Sequence, residues 1–297
     1  MLHFPVLLEE SVDFLITNLD GNYIDCTFGR GGHTSKILRK ISPEAKLTSF
    51  DKDAEAYEFA KNIKENNFTI KHESFNSLSK YFDEGSIDGI LYDLGTCSTH
   101  LDNGDRGFSF MRDGPLDMRF NIKKGKPLSD WINNASYDEI LNVLYSYGDE
   151  KHGKLIAKAI IDFREKKRIA TTFDLANLIK DCYPSSRKKI HPATKSFQAF
   201  RIFINNELNE IAESLQQAKK ILKKNGIIVV ISFHSLEDNL VKNFFKPQNL
   251  EFPKDIPINS IMSQEFKCIA KKIRATEDEI DINPRSRSAI MRVFKKL

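Results

Sequence analysis

Residues 25–33 read Asp-Cys-Thr-Phe-Gly-Arg-Gly-Gly-His, and Asp51 closes the apolar run that follows. A glycine-rich turn after one strand, with an acid at the end of the next, builds a nucleotide pocket in open α/β sheets. Gly29, Gly31 and Gly32 lack a Cβ, so the backbone there can take positive φ and approach a ligand closely. Asp51, 22 positions after Gly29, can accept hydrogen bonds from both hydroxyls of a ribose. Thr34 stands where the dinucleotide fingerprint has its third glycine, and no P-loop lysine follows. The pattern that remains suits a cofactor with an adenosine and no pyrophosphate, a description that S-adenosyl-L-methionine meets. A tight strand-to-helix turn with no ligand would show the same glycines.

Working outward, apolar runs place strands at Tyr23–Cys26, Leu47–Phe50, Phe68–His72 and Ile87–Tyr92. The stretch Gly226–Phe233, almost continuously β-branched, reads as a parallel strand covered on both faces. Helical spacing predicts helices over His33–Arg39, Asp53–Glu65 and Asn205–Lys224, the last ended by Asn225-Gly226. Between the fourth and fifth strands lie helical segments: Ser136–Tyr147 with a Ser136/Glu139 capping box, Lys154–Lys166, and Thr172–Cys182. Ser129 is a less complete cap of the same kind. After the fifth strand come a helix at Ser235–Phe245, a Pro-rich loop at 247–257, and two segments, Phe266–Lys272 and Ser288–Phe294, that would pair antiparallel. The expected fold is α/β: a Rossmann-like sheet from residues 1–106 and 207–297, interrupted by an inserted helical domain at 107–206.

Length and composition agree. A chain of 297 residues, 40% hydrophobic and 29% charged, can bury a large core without staples. Cys26, Cys97, Cys182 and Cys268 form no Cys-x-x-Cys, so reduced thiols, a cytoplasmic location and no metal are expected. The N-terminus does not read as a signal peptide, and no run is long enough to span a bilayer. The net charge of +4 is small, but residues 151–200 hold twelve Lys/Arg against four Asp/Glu. That local excess favours a nucleic acid over a small metabolite.

Several segments are candidates for chemistry. Asp25, Asp51 and Asp93 fall at strand ends and would line one rim, with Phe75 covering an adenine. Residues 106–119, Arg-Gly-Phe-Ser-Phe-Met-Arg-Asp-Gly-Pro-Leu-Asp-Met-Arg, interleave Phe108 and Phe110 with Arg106, Arg112 and Arg119. This suits stacking on a splayed-out base and pairing with phosphate, or a compact loop that packs its own Phe residues. Lys195, Gln198 and Arg201, three apart, share a helix face that could track a polyanion or simply be solvated. Ser232, His234 and Asp238 follow the fifth strand without the nucleophile elbow of a hydrolase, and Ser235 reads as a helix cap. His234 could face a substrate, and Arg285 and Arg287 on a polar turn could bind phosphate.

Taken in order, the segments 3–8, 25–33, 106–119, 191–199, 231–238 and 283–288 resemble those of the MraW-like bacterial 16S ribosomal RNA cytosine-N4 methyltransferases, over nearly the whole chain. The resemblance implies a class I methyltransferase fold and S-adenosyl-L-methionine as cofactor. It implies methylation of a cytidine amine in the decoding region of 16S rRNA within the small ribosomal subunit. Its cofactor positions carry over onto Gly31, Gly32, His33, Asp51, Phe75 and Asp93. One departure stands out: residues 93–102 read Asp-Leu-Gly-Thr-Cys-Ser-Thr-His-Leu-Asp, with His100 where the family has a cofactor-contacting glutamine. No Pro-Pro-aromatic turn follows the fourth strand, so Asp93 or Asp117 is expected to accept the hydrogen bond of the amine, and Phe108 or Phe110 to stack on the flipped base. Monomer and homodimer are both compatible with the sequence. A non-catalytic rRNA-binding module is the competing class, and a small-molecule methyltransferase would lack the basic insertion.

Overall fold

The computed structural model describes residues 4–184, 191–246 and 265–297. His3, Arg187, Lys188, Lys189 and the Pro-rich loop lie outside them. In chain order the elements begin α1 (Leu8–Leu15), β1 (Asn22–Asp25), α2 (Gly32–Lys40), β2 (Lys46–Phe50), α3 (Ala54–Ala60), β3 (Phe68–Lys71) and β4 (Ile87–Asp93). A helical run follows: α4 (Ser98–Asp102), α5 (Leu128–Ile132), α6 (Tyr137–Gly148), α7 (Gly153–Arg164), α8 (Thr172–Asp181) and α9 (Thr194–Ile204). The chain then continues through α10 (Glu207–Ile221), β5 (Leu222–Ser232), α11 (Ser235–Phe244), β6 (Phe266–Ile273), α12 (Glu277–Ile282) and β7 (Ile290–Lys296).

The chain divides into two compact units: residues 1–95 with 208–297, and residues 96–207. The first holds the sheet, ordered β3-β2-β1-β4-β5-β7-β6. β3, β2, β1, β4 and β5 are parallel, and β7 runs antiparallel between β5 and β6. Alternate residues feed two cores. Tyr23, Leu47, Leu91, Val229 and Ile231 face one side with α1 and α2 residues, and Ile24, Ile90, Tyr92, Ile228 and Val230 face the other with α10 residues. Burial on both faces explains the continuous apolar reading of β5.

The second unit has its own core of α5–α9 residues. It starts at Thr96 rather than at 107. The reason is Arg106, whose guanidinium donates to the carbonyls of Arg119 (3.2 Å) and Phe120 (3.0 Å) and ties the turn after α4 to the loop beyond.

Local chemistry moves several expected ends. α3 stops at Ala60, short of Glu65. α10 stops at Ile221, and the chain bulges where Ile87 pairs Leu222 but Gly89 pairs Ile227. Asn225 takes φ +66° there, inside the bulge rather than at a helix end. Ser136 and Glu139 form the expected capping box, whereas Ser129 lies inside α5, behind Pro127. The cap of α11 is His234 with Glu237, one residue before the expected Ser235.

Candidate active site

Strand order reverses between β1 and β4, so the crevice outside their carboxyl ends is where an open α/β sheet binds ligand. The turn after β1 enters it with Gly29 at φ +57° and Gly31 at φ +73°. The Asp51 carboxylate holds that turn. One oxygen accepts the Gly29 N–H and the other the Asp53 N–H, each at 2.8 Å. The space around Gly32 is filled by the protein itself: a Cβ there would lie 2.1 Å from Pro5 Cγ. Packing of the N-terminal segment alone thus requires a glycine at position 32.

Asp25 is fully buried beneath the turn. Its carboxylate accepts the Thr34 hydroxyl at 2.7 Å and the Thr27 N–H at 3.1 Å, and Ser49 Oγ lies 2.8 Å from Thr34 Oγ1. Burial pushes the Asp25 carboxyl up to about 6, against the opposing hydrogen bonds. Thr27 then reaches across to β4, where its Oγ1 accepts the Asp93 N–H at 2.8 Å. Sequence reading missed Thr27, Thr34 and Ser49. Short polar residues around a strand end carry no signal until the strand neighbours are known.

At the β4 end, the Asp93 carboxylate lies 3.6 Å from His33 Nδ1, while His33 Nε2–H donates to the Val6 carbonyl at 3.1 Å. Phe75 follows β3 in a short 3-10 turn, half-buried, its ring edge-on to Tyr92 at 5.8 Å. Tyr57 of α3 stacks on His72 at 4.8 Å, another aromatic pair in the first unit that the sequence did not announce.

The donor set fits S-adenosylmethionine. Asp51 and Asp93 supply acceptors for hydroxyls and an ammonium, in a setting that favours a cation. The nearby basic groups are neutralised within the protein: Arg30 by Glu55 at 2.9 Å and Lys52 by Glu210 at 2.7 Å. A pyrophosphate would meet carboxylates without a dedicated cation, whereas a sulfonium with an amino acid tail would not.

The second unit reassigns several expected residues. Arg106 is 8% exposed and braces backbone carbonyls, so it is not an RNA contact. Phe108 is 5% exposed, with His100 at 5.1 Å and Phe120 at 5.1 Å, so neither Phe108 nor His100 offers a face to a ligand. Phe108 belongs to the core of the second unit, His100 is buried against it, and the loop 106–119 packs its own Phe. Phe110 is half-buried, stacked on His191 at 4.6 Å. Asp117 grips Arg119 with two hydrogen bonds of 2.7 Å, which holds the guanidinium within the protein. Arg201 is likewise held by Glu207 at 2.8 and 2.9 Å and is not free for phosphate. Lys195 is exposed and donates to the Asp149 carbonyl at 2.9 Å. Gln198 is half-buried, and Arg112 is exposed. Asn205, unforeseen, joins the loop to α9, accepting the Phe120 N–H at 2.8 Å and donating to the Met118 carbonyl at 2.7 Å.

In the first unit, His234 caps α11, with Nε2 3.0 Å from the buried Glu237 carboxylate. Arg285 and Arg287 are exposed on a 3-10 turn. All four cysteines are free thiols.

Among solved structures, SMU.1697c of Streptococcus mutans in complex with SAH is 13% identical, with full coverage of both chains and a TM-score of 0.46. An rRNA methylase from Streptococcus thermophilus is 11% identical over 100% of this chain and 99% of that one, with a TM-score of 0.45. Likeness at this level leaves the fold resting on the strand order described above. The MraW methylase family matches residues 1–297, the entire chain. The chain therefore belongs to the MraW methylase family, a Rossmann-like methyltransferase whose cofactor is S-adenosylmethionine.

Proposed function

We propose that the chain methylates the N4 amine of one cytidine in the decoding region of 16S ribosomal RNA, acting on the small ribosomal subunit. When bound, S-adenosylmethionine supplies an electrophilic methyl group. The cytosine amine is a poor nucleophile because its lone pair is delocalised into the ring, so the protein must align it and accept a hydrogen bond from it. Alignment of this kind lowers a barrier by roughly 7–11 kcal/mol. Asp51 would hold the ribose hydroxyls, and His33 and Asp93 would line the β4 side. Asp93 is the acceptor for the amine, since Asp117 is already engaged by Arg119. Phe110, half-buried, would be the ring that meets a base, since Phe108 is buried. The helical unit at 96–207 would recognise the RNA.

The observation that carries this reading is the acid-lined rim at Asp51 and Asp93 in a chain that is a methylase over its whole length. The cytidine itself rests on the resemblance of the ordered motifs at 106–119, 191–199 and 283–288. A deletion strain tests it: its 16S rRNA should lack one N4-methyl on a cytidine, restored by the wild-type gene. An unchanged set of methylated cytidines would overturn the assignment.

A further inference from the structure

Of the arginines that the sequence offered for RNA, Arg106, Arg119 and Arg201 are spent inside the protein while Arg112, Arg285 and Arg287 are exposed, which raises the question of which other cations remain. In the second unit, Arg164 donates to the Ile132 and Ala135 carbonyls, Lys167 pairs with Asp174, and Arg168 pairs with Asp130. Lys151, Lys154 and Lys158 are exposed and form no ion pair among the described residues. Lys154 and Lys158 lie four apart on the outer face of α7, away from the buried Ile156, Ala157 and Ile160, and Lys151 stands two residues before the helix begins. The exposed Asp162 lies one turn beyond Lys158, and the acids that precede the helix are occupied. Asp149 takes Lys195, and the buried Glu150 takes Tyr183 at 2.5 Å, Ser196 at 3.2 Å and the His152 N–H at 3.1 Å.

Two further observations point to a ligand. The first turn of α7 carries no acid but does carry Lys154, a cation at the helix end where the dipole disfavours it. A local cost without a structural return is typical of a functional surface. Next to it, Tyr145 of α6 is 45% exposed. A Cβ on Gly153 would stand 2.8 Å from the Tyr145 ring, so the missing side chain lets that ring lie against the start of α7. An exposed aromatic ring lying against Gly153, with Lys151 and Lys154 on either side of that glycine in the chain, has the parts of a single-strand platform: a face for a base and charges for its phosphates.

We propose that Tyr145, Lys151, Lys154 and Lys158 form a docking platform for single-stranded RNA, one base stacking on Tyr145 and its neighbouring phosphates meeting the lysines. It rests on the RNA reading above and places the RNA backbone on α6 and α7, not on Arg106, Arg119 or Arg201.

The test uses the full chain with undermethylated small subunits and their naked 16S rRNA, measuring methyl transfer and RNA binding across salt. Combined K151Q/K154Q/K158Q should raise KM for RNA with kcat kept, and lower the salt slope of binding by about 2. Tyr145→Leu, which keeps the apolar contact with Gly153, should weaken binding about fivefold or more. The lysine variant should melt no lower than wild type, since it removes cations from the N-terminal end of α7. Exposed lysines elsewhere, in K246Q/K267Q, should leave the slope almost unchanged. An unchanged KM and slope in the triple variant, or an equal effect in K246Q/K267Q, would overturn the platform. Weakened binding to the subunit with unchanged binding to naked rRNA would also overturn it, in favour of an acidic protein surface. If wild type itself transfers no methyl to RNA and binds none, the proposed function falls, and the platform with it.

Discussion

Asp51 accepts the Gly29 N–H at 2.8 Å, so the acid that ends β2 fixes the glycine turn that follows β1. Its other oxygen holds the Asp53 N–H at the same distance. The carboxylate that sets the turn is also the group proposed to receive a ribose. Asp51→Asn removes the charge and leaves a single accepting oxygen, so one of the two backbone N–H groups also loses its partner. Its affinity for S-adenosylhomocysteine, read by calorimetric titration, should fall about tenfold or more. Undiminished affinity would remove Asp51 from the site.

Gly32 and Pro5 provide a contrast, a glycine of the same turn whose role is packing. Gly32→Ala would push a Cβ to 2.1 Å from Pro5 Cγ. A cost of about 1–3 kcal/mol in denaturant unfolding is expected, partly recovered by adding Pro5→Ala. The folded fraction should bind the donor as wild type does. Lost binding with unchanged stability would make Gly32 a ligand contact after all.

Asp25 gives a pH signature. Its folded value of about 6 lies above the ordinary carboxylate range because burial disfavours the charge. Folding therefore takes up a proton between about pH 4 and 6, and this contribution is complete below that window and lost as pH rises through it. Asp25→Asn should remove this component. The stability of wild type relative to the variant should decline by up to about 3 kcal/mol as pH rises from 4 to 6, then level off. Parallel curves for the two proteins across that window would contradict the assignment.

Arg201 and Glu207 are a structural pair, 15% and 8% exposed at the side chain. Arg201→Lys cannot restore both hydrogen bonds of the guanidinium fork. Breaking a pair this buried should cost about 3 kcal/mol in chemical denaturation, with little change in the salt slope of RNA binding. A changed slope at full stability would return Arg201 to the RNA surface.

These residues mark what was legible in the sequence. The strands were, because β-branched runs such as 226–231 and the Asp-ended segments at 25, 51 and 93 have few other readings. The rim followed, since parallel strands place their carboxyl ends together. The end of α10 was less so: Asn225-Gly226 reads as a helix stop, but the chain leaves the helix at Ile221 and spends Asn225 on a bulge. The cap at His234 was displaced by one residue, because Ser235 is the more usual capping type and only the Glu237 geometry settles the register. The arginines misled most. A sequence gives the charge of Arg106, Arg119 and Arg201 but not the carbonyls and carboxylates that absorb it. The same blindness hid Lys154, which forms no ion pair among the described residues, and Tyr145, whose ring lies against Gly153.

The central claim is a methyl donor at the Asp51 and Asp93 rim and a cytidine amine as acceptor. Undermethylated small subunits incubated with the protein and methyl-labelled S-adenosylmethionine, followed by nucleoside mass spectrometry of the 16S rRNA, test it directly. The account predicts label in N4-methylcytidine at a single position, abolished by Asp93→Ala and sharply reduced by Asp51→Asn. Label on another base or atom, or N4-methylcytidine formed equally well by both variants, would contradict it.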